Sequence, residues 1–133
     1  GASGLLGLGL PREYGGQGGG YLDMAVCGEC LAARGRNMGM AVSWLIHGVV
    51  ARFLILGFGN GSQRREWLPR MASGSITASL AVSEPGAGAH PKHLKTVARS
   101  QGNGYVLDGE KTYLTNGPIA INVDNAAPAV ERQ

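Results

Sequence analysis

Few residues in this chain combine a reactive type with a useful spacing, and they fall in two places. Cys27 and Cys30 form a C-x-x-C pair, a spacing shared by redox dithiols and by half of a zinc site. No second cysteine pair exists, and His47, His90 and His93 do not supply zinc-finger spacing. The surrounding run, Leu22 to Ala33, reads as helix, which predicts structural thiols among small apolar residues. His47 lies in an apolar run without a partner at metal spacing, so a hydrogen-bonded core histidine is expected, and no metal site. The second place is Ser83-Glu84-Pro85-Gly86-Ala87-Gly88. A serine hydroxyl donates or accepts, and a strand end offers backbone N–H groups. Glycines permit positive φ and close approach of backbone to a ligand, and successive N–H groups can form an anion-binding nest. Alone, the same stretch is also a good strand-terminating turn.

The elements that must position these residues divide the chain. Of its 133 residues, 44% are hydrophobic and 16% charged, a composition that supports a buried core. The 23 glycines follow no collagen period and point to many tight turns. Net charge is +3, from 12 basic and 9 acidic residues, scattered except at Arg64 and Arg65. A nucleic-acid face would be denser and interleaved with aromatics, so none is expected. Gly1 to Leu10 is apolar but short and without a basic flank, unlike a signal peptide.

Tyr21 to Arg34 reads as a helix with Leu22, Ala25, Val26 and Ala33 near one face. Asn37 is placed to cap a second helix, Met38 to Leu56, apolar nearly all round and expected to be buried on most sides in a larger protein or oligomer. Ser43, His47 and Arg52 make it too polar for a comfortable membrane span. Asn60 and Gln63 read as a capping box opening a short helix through Trp67, closed by Pro69 and Gly74. From Ile76 to Ser83 apolar and polar residues alternate as in a half-buried strand. Thr96 to Ser100 and Tyr105 to Asp108 read as strands joined by Gln101-Gly102-Asn103-Gly104. Asp108-Gly109 is a hairpin signal leading to a further strand, Lys111 to Thr115. Asn122 to Gln133 reads as a frayed end. The predicted fold class is α+β: a helical region, residues 1–74, followed by an incomplete antiparallel β-domain, residues 75–133, with open edges.

Four blocks, in order, carry a family resemblance. The stretch Ser79-Leu80-Ala81-Val82-Ser83-Glu84-Pro85-Gly86-Ala87-Gly88-Ala89 resembles the signature of acyl-CoA dehydrogenases, in which a strand runs into S/T-E-P-x-A-G. Leu10-Pro11-Arg12-Glu13-Tyr14-Gly15-Gly16 resembles that family's P-x-x-Y-G-G segment. Tyr105 to Gly117 resembles its G-Y-x-L-N-G-x-K-x-W-I-T-N-G hairpin, and Trp67-Leu68-Pro69 with Ser73-Gly74 fits its interdomain link. The resemblance covers about residues 4 to 120. The chain departs from the pattern at Ala89, where Ser or Thr is usual, at His90 for Asp, at Leu80 for an aromatic and at Tyr113 for Trp.

The resemblance implies FAD as cofactor and an acyl-CoA thioester as substrate. It places Leu80, Val82, Ser83, Gly88, Ala89, Tyr113, Leu114 and Thr115 at the flavin, with Ser83 near its reactive nitrogen and Tyr113 beside the ring. Ala89 also falls at the substrate. No catalytic residue is expected here: the family's base belongs to a C-terminal four-helix bundle that nothing in this chain matches, and Glu84, Glu110 and Glu131 are not substitutes. An electron-transfer flavoprotein is the implied acceptor, and the intact parent is expected to be a homo-oligomer. Its expected compartment is the cytoplasm in a bacterium or the mitochondrial matrix in a eukaryote. The same fold also hosts flavin monooxygenases and nitroalkane oxidases, and a non-catalytic binding or assembly role is the remaining alternative.

Overall fold

The computed structural model describes residues 3–88 and 90–120. Ala89 and the expected frayed end, 122–133, therefore lie outside the described residues. The chain begins as a glycine-rich strap. Pro11 opens a single 3-10 turn, Arg12–Tyr14, which Gly15 closes in the left-handed region at φ 77°. At Gly16 a Cβ would collide with the Leu10 carbonyl oxygen, so only glycine fits there. The strap folds back through Gly9 N–H to Gly18 O (2.7 Å) and Gly18 N–H to Leu10 O (2.8 Å). That seats Leu10, 1% exposed, in the core.

Helix α1 spans Tyr21–Ala33. Helix α2 spans Met38–Val49 and continues as a π-helical stretch, Val50–Leu56. Helix α3 spans Gly61–Ser73. The caps read from sequence are present: Asn37 Oδ1 accepts from Met40 N–H at 3.0 Å. Asn60 and Gln63 bond each other's backbone at 2.9 and 2.8 Å. Each satisfies amides a helix start would leave open.

The packing corrects two expectations, for α1 and for α3. On α1 the buried residue is Met24, whereas Leu22 and Val26 are exposed; α1 packs mainly on α2, so its inward stripe is narrow. Within this chain α2 and its extension are buried on one side: Ala41, Trp44, His47 and Gly48 face inward, while Met38, Met40, Leu45 and Phe53 are exposed; burial on most sides is expected in a larger protein or oligomer. The α2 helix with its π-helical extension, Met38–Leu56, is long and apolar enough to cross a membrane by composition, yet His47 and Ser43 bond within the fold. Finally, α3 does not stop at Trp67 but runs through Pro69. A mid-helix proline forfeits a hydrogen bond. Leu68, Met71 and Ala72, packed with Leu10, Ala51 and Ile76 in the main core, offset that loss. Gly74, at φ 78°, ends the helix.

After α3 the chain runs extended to a two-stranded antiparallel sheet, β1 (Val97–Gln101) and β2 (Gly104–Asp108), in the register Val97↔Asp108 to Gln101↔Gly104. Its tight turn is Gly102-Asn103, with Gly102 at φ 59°. A helical N-terminal region followed by the start of an antiparallel β-domain is thus the architecture. Two strand expectations fail: Ile76 to Ser83 and Lys111 to Thr115 form no sheet, and in the second Tyr113 turns into the left-handed region at φ 57° while Thr115 lies in a turn. Asp108-Gly109 is accordingly not a hairpin turn; the chain leaves β2 there and crosses to Ser83. Several of their backbone groups meet side chains instead of a strand partner: Ala78 N–H and O, Val82 O and Thr115 O.

Candidate functional site

The S-E-P-G turn is closed by its own backbone: Glu84 N–H donates to Ala87 O (2.8 Å) and Ala87 N–H to Glu84 O (3.0 Å). The Glu84 carboxylate is buried and gathers three pieces of chain. It accepts from Thr96 Oγ1 (2.5 Å), Thr96 N–H (2.9 Å) and Lys95 N–H (2.6 Å). Lys111 Nζ, 2.9 Å away, completes an ion pair and also donates to Val82 O at 3.1 Å. The Thr96 hydroxyl first, then the Lys95 amide and Lys111, hold this carboxyl at a pKa of about 2. Glu84 is therefore ionised at neutral pH and anchors the turn, and a carboxylate so stabilised is a weak proton acceptor.

Around this anchor two segments run side by side and antiparallel. Thr112 N–H donates to Ser83 O (2.9 Å), and Ser79 Oγ donates to Thr115 O (2.6 Å). Asn116 Nδ2 donates to Ala78 O (3.0 Å). The structure thus brings Leu80, Val82 and Ser83 next to Tyr113, Leu114 and Thr115. Leu80, Ser83, Leu114 and Thr115 are half-buried and Gly88 is exposed. Val82 is 44% and Tyr113 93% exposed. Tyr113 sits at φ 57°, in the left-handed region, which a non-glycine residue seldom adopts; its ring projects from the surface. Ala89, expected at both cofactor and substrate, lies outside the described residues.

These residues fit a flat, partly apolar ligand with a polar edge. Val82 and Tyr113 offer uncovered apolar and aromatic surface from neighbouring segments. Among the described residues the Ser83 and Thr115 amides have no acceptor. Thr112 Oγ1 between them is buried without a partner. Gly86 and Gly88 do not adopt the positive φ that their type permits, but a Cβ on either would meet nothing within 4 Å, so backbone is open to close approach there. Sequence reasoning overlooked Asn116, Ser79 and Thr96 as the residues that fix this surface. Asn116 stands in the T-N-G block and adopts φ 69°; a left-handed asparagine before glycine was the available signal.

The other reactive groups do different work. His47 is 2% exposed. Its Nδ1 accepts from Ala78 N–H (3.2 Å) and its Nε2 lies 3.1 Å from Met71 O. A ring accepting at one nitrogen and donating at the other is neutral, and burial pushes its pKa down. Cys27 is half-buried and Cys30 exposed, both free thiols; burial and then the neighbouring Cys30 push the Cys27 pKa up, the opposite of an activated thiolate. Among the described residues no group of three or more His, Cys, Asp or Glu could hold a metal ion. A groove of about 580 Å³ between α1 and α2, lined by Met24, Ala41, Val42, Leu45 and Phe53 among others, is formed by different residues from this site.

Residues 1–75 match the family described as acyl-CoA dehydrogenase, N-terminal domain. The chain belongs to the acyl-CoA dehydrogenase family. It is 40% identical over 90% of its length to an L-prolyl-[peptidyl-carrier protein] dehydrogenase of Pseudomonas fluorescens, covering 32% of that protein. It is 37% identical over 86% of its length to acyl-CoA dehydrogenase FadE12 of Mycobacterium tuberculosis, covering 29% of that protein. An acyl-CoA dehydrogenase from Bacillus anthracis, solved complexed with FAD, superposes with a TM-score of 0.79 at 37% identity, over 90% of this chain and 21% of that one. The chain spans about a third of the length of these curated relatives.

Proposed function

We propose that these residues form the flavin-side wall of an FAD-dependent acyl-CoA dehydrogenase that oxidises an acyl-CoA to the 2,3-enoyl-CoA. One observation carries the reading. In a chain of this family, the Leu80–Ser83 and Tyr113–Thr115 segments lie side by side and present an exposed aromatic, an exposed valine and amides that have no acceptor among the described residues. When bound, FAD would accept the hydride leaving the substrate β-carbon. The chain's own residues bind and orient. Val82 and Tyr113 supply the wall, and the Ser83 hydroxyl and amide and the Thr115 amide meet the polar edge. The Gly86–Gly88 backbone gives room for phosphate oxygens, and Glu84 holds the turn rigid. The base that takes the α-proton is not among these residues, since the Glu84 carboxylate is held well below the usual carboxylate range and spent on anchoring the turn. An electron-transfer flavoprotein would be the redox partner.

A second reading is favoured by the Pseudomonas fluorescens relative, whose substrate is carried by a peptidyl-carrier protein: the same oxidation on a carrier-bound thioester. Both are tested on the full-length protein by its visible absorption before and after anaerobic addition of acyl-CoAs or of a prolyl-loaded carrier protein. Bleaching by an acyl-CoA supports the first reading, and bleaching by the loaded carrier alone supports the second. A protein that shows no flavin bands after incubation with FAD would overturn both. The 133 residues alone, given FAD, an acyl-CoA and a dye acceptor, are expected to show no sustained turnover.

A further inference from the structure

Ala78 is held from both sides by side chains. Its N–H donates to His47 Nδ1 (3.2 Å) and its C=O accepts from Asn116 Nδ2 (3.0 Å). Strand partners would normally meet both groups, and here two side chains stand in for them. Both amide hydrogens of Asn116 are used. Its other amide hydrogen goes to Ser43 O (3.0 Å) and its Oδ1 accepts from Ser43 Oγ (2.6 Å). Ser43 and His47 are four residues apart on α2, so they share one helix face. His47 in turn reaches Met71 O at 3.1 Å, in the last turn of α3. One peptide at the head of the Leu80–Ser83 segment, and the residue that ends the Tyr113–Thr115 segment, are thus both referenced to a single face of the helical core.

We propose that Asn116 and His47 are positioning residues for the flavin: by gripping the Ala78 peptide they set the spacing between the Leu80–Ser83 and Tyr113–Thr115 segments on which the ring rests. This inference rests on the flavin reading above. It assigns neither residue a contact with the ring. Ser79 Oγ, bonded to Thr115 O at 2.6 Å, supports the same spacing one residue further along.

The test uses the full-length protein and three readouts: FAD affinity by titration into apoprotein, the absorption bands of the bound flavin, and amide hydrogen exchange at Ala78. Asn116→Asp replaces the double donor with an oxygen facing two carbonyls. It should weaken FAD binding about tenfold or more and shift the bands, with faster exchange at Ala78. Ser79→Ala removes one hydrogen bond and should weaken FAD binding by about threefold to tenfold, again with shifted bands. Lower thermal stability with unchanged affinity and bands in both variants would show a merely structural role and overturn the proposal. His47→Gln, which removes the acceptor of the Ala78 N–H, is read by the same criterion, and should Asn116→Asp fail to fold, His47→Gln and Ser79→Ala decide. A wild-type protein that takes up no FAD overturns the flavin reading itself, and this proposal with it.

Discussion

In the helical part the buried side chains are contiguous: Leu10, Ala51, Leu68, Met71 and Ala72 form one cluster that reaches Ile76. In the β-hairpin both five-residue strands are exposed along their whole length. Between these extremes lies the site, whose segments run side by side without a strand's ladder. Their positions are set by four side chains, Glu84, Asn116, Ser79 and His47, bonding to backbone far away in sequence. Apolar burial holds the helices, and polar side-chain bonds hold the site against them. A surface placed this way can remain open to a ligand, because its order does not require covering it.

The contrast predicts a steep gradient of mutational cost. Leu68→Ala, at a position 0% exposed, should lower unfolding free energy by about 2–5 kcal/mol in denaturant titrations. Leu107→Ala on the hairpin, 60% exposed, should change it by less than about 0.5 kcal/mol. Comparable losses at the two positions would mean that the hairpin is buried in the folded protein.

Acid should loosen the polar half first. His47 is held neutral, its pKa below the usual 6.5. Its contribution is whole above that value and is lost as pH falls from there toward its lowered folded pKa, where a charged ring would face the Ala78 N–H. Glu84, with a folded pKa of about 2 against 4.5, contributes fully above 4.5 and is lost as pH falls toward 2. Stability followed against pH should therefore decline in two windows. Glu84→Gln should flatten the lower one and speed hydrogen exchange at Lys95 and Thr96. An unchanged acid profile in that variant would remove Glu84 from its anchoring role.

Asn60→Ala, which removes the α3 cap, should cost about 1 kcal/mol, checked by thermal unfolding. The smallest effect is expected at Tyr113. Its side chain is almost fully exposed and its φ is positive. Tyr113→Gly should leave the stability of the chain unchanged or raise it by up to about 1 kcal/mol through relief of backbone strain, while removing the aromatic wall. A clear loss of stability would show that the ring packs against the fold.

The helical half was legible because its signals are local. Asn37 and Asn60 announce their caps, and Gly74 its stop. Pro69 misled because the apolar contacts of Leu68 and Met71, invisible in a short window, outweigh its missing donor. Which face of α1 is buried was misread for a related reason: Leu22 and Val26 fit a helical stripe as well as Met24 does, and only the position of α2 decides. In the β half, Gly102-Asn103 marked its turn, but alternation over Ile76 to Ser83 could not reveal that Ala78 bonds side chains of α2 and of the T-N-G block. The candidate surface was legible as motif, and the residues that fix it were not, because their partners lie 11 to 73 positions away.

The central claim is that the Leu80–Ser83 and Tyr113–Thr115 segments are one flavin-facing surface. Its most direct test is titration of FAD into the full-length apoprotein carrying Tyr113→Phe or Tyr113→Ala. The phenylalanine variant should bind FAD as the wild type does, because it keeps the aromatic wall, and the alanine variant should bind it at least about tenfold more weakly. Equal affinity in the alanine variant and the wild type would contradict the account and place the flavin elsewhere.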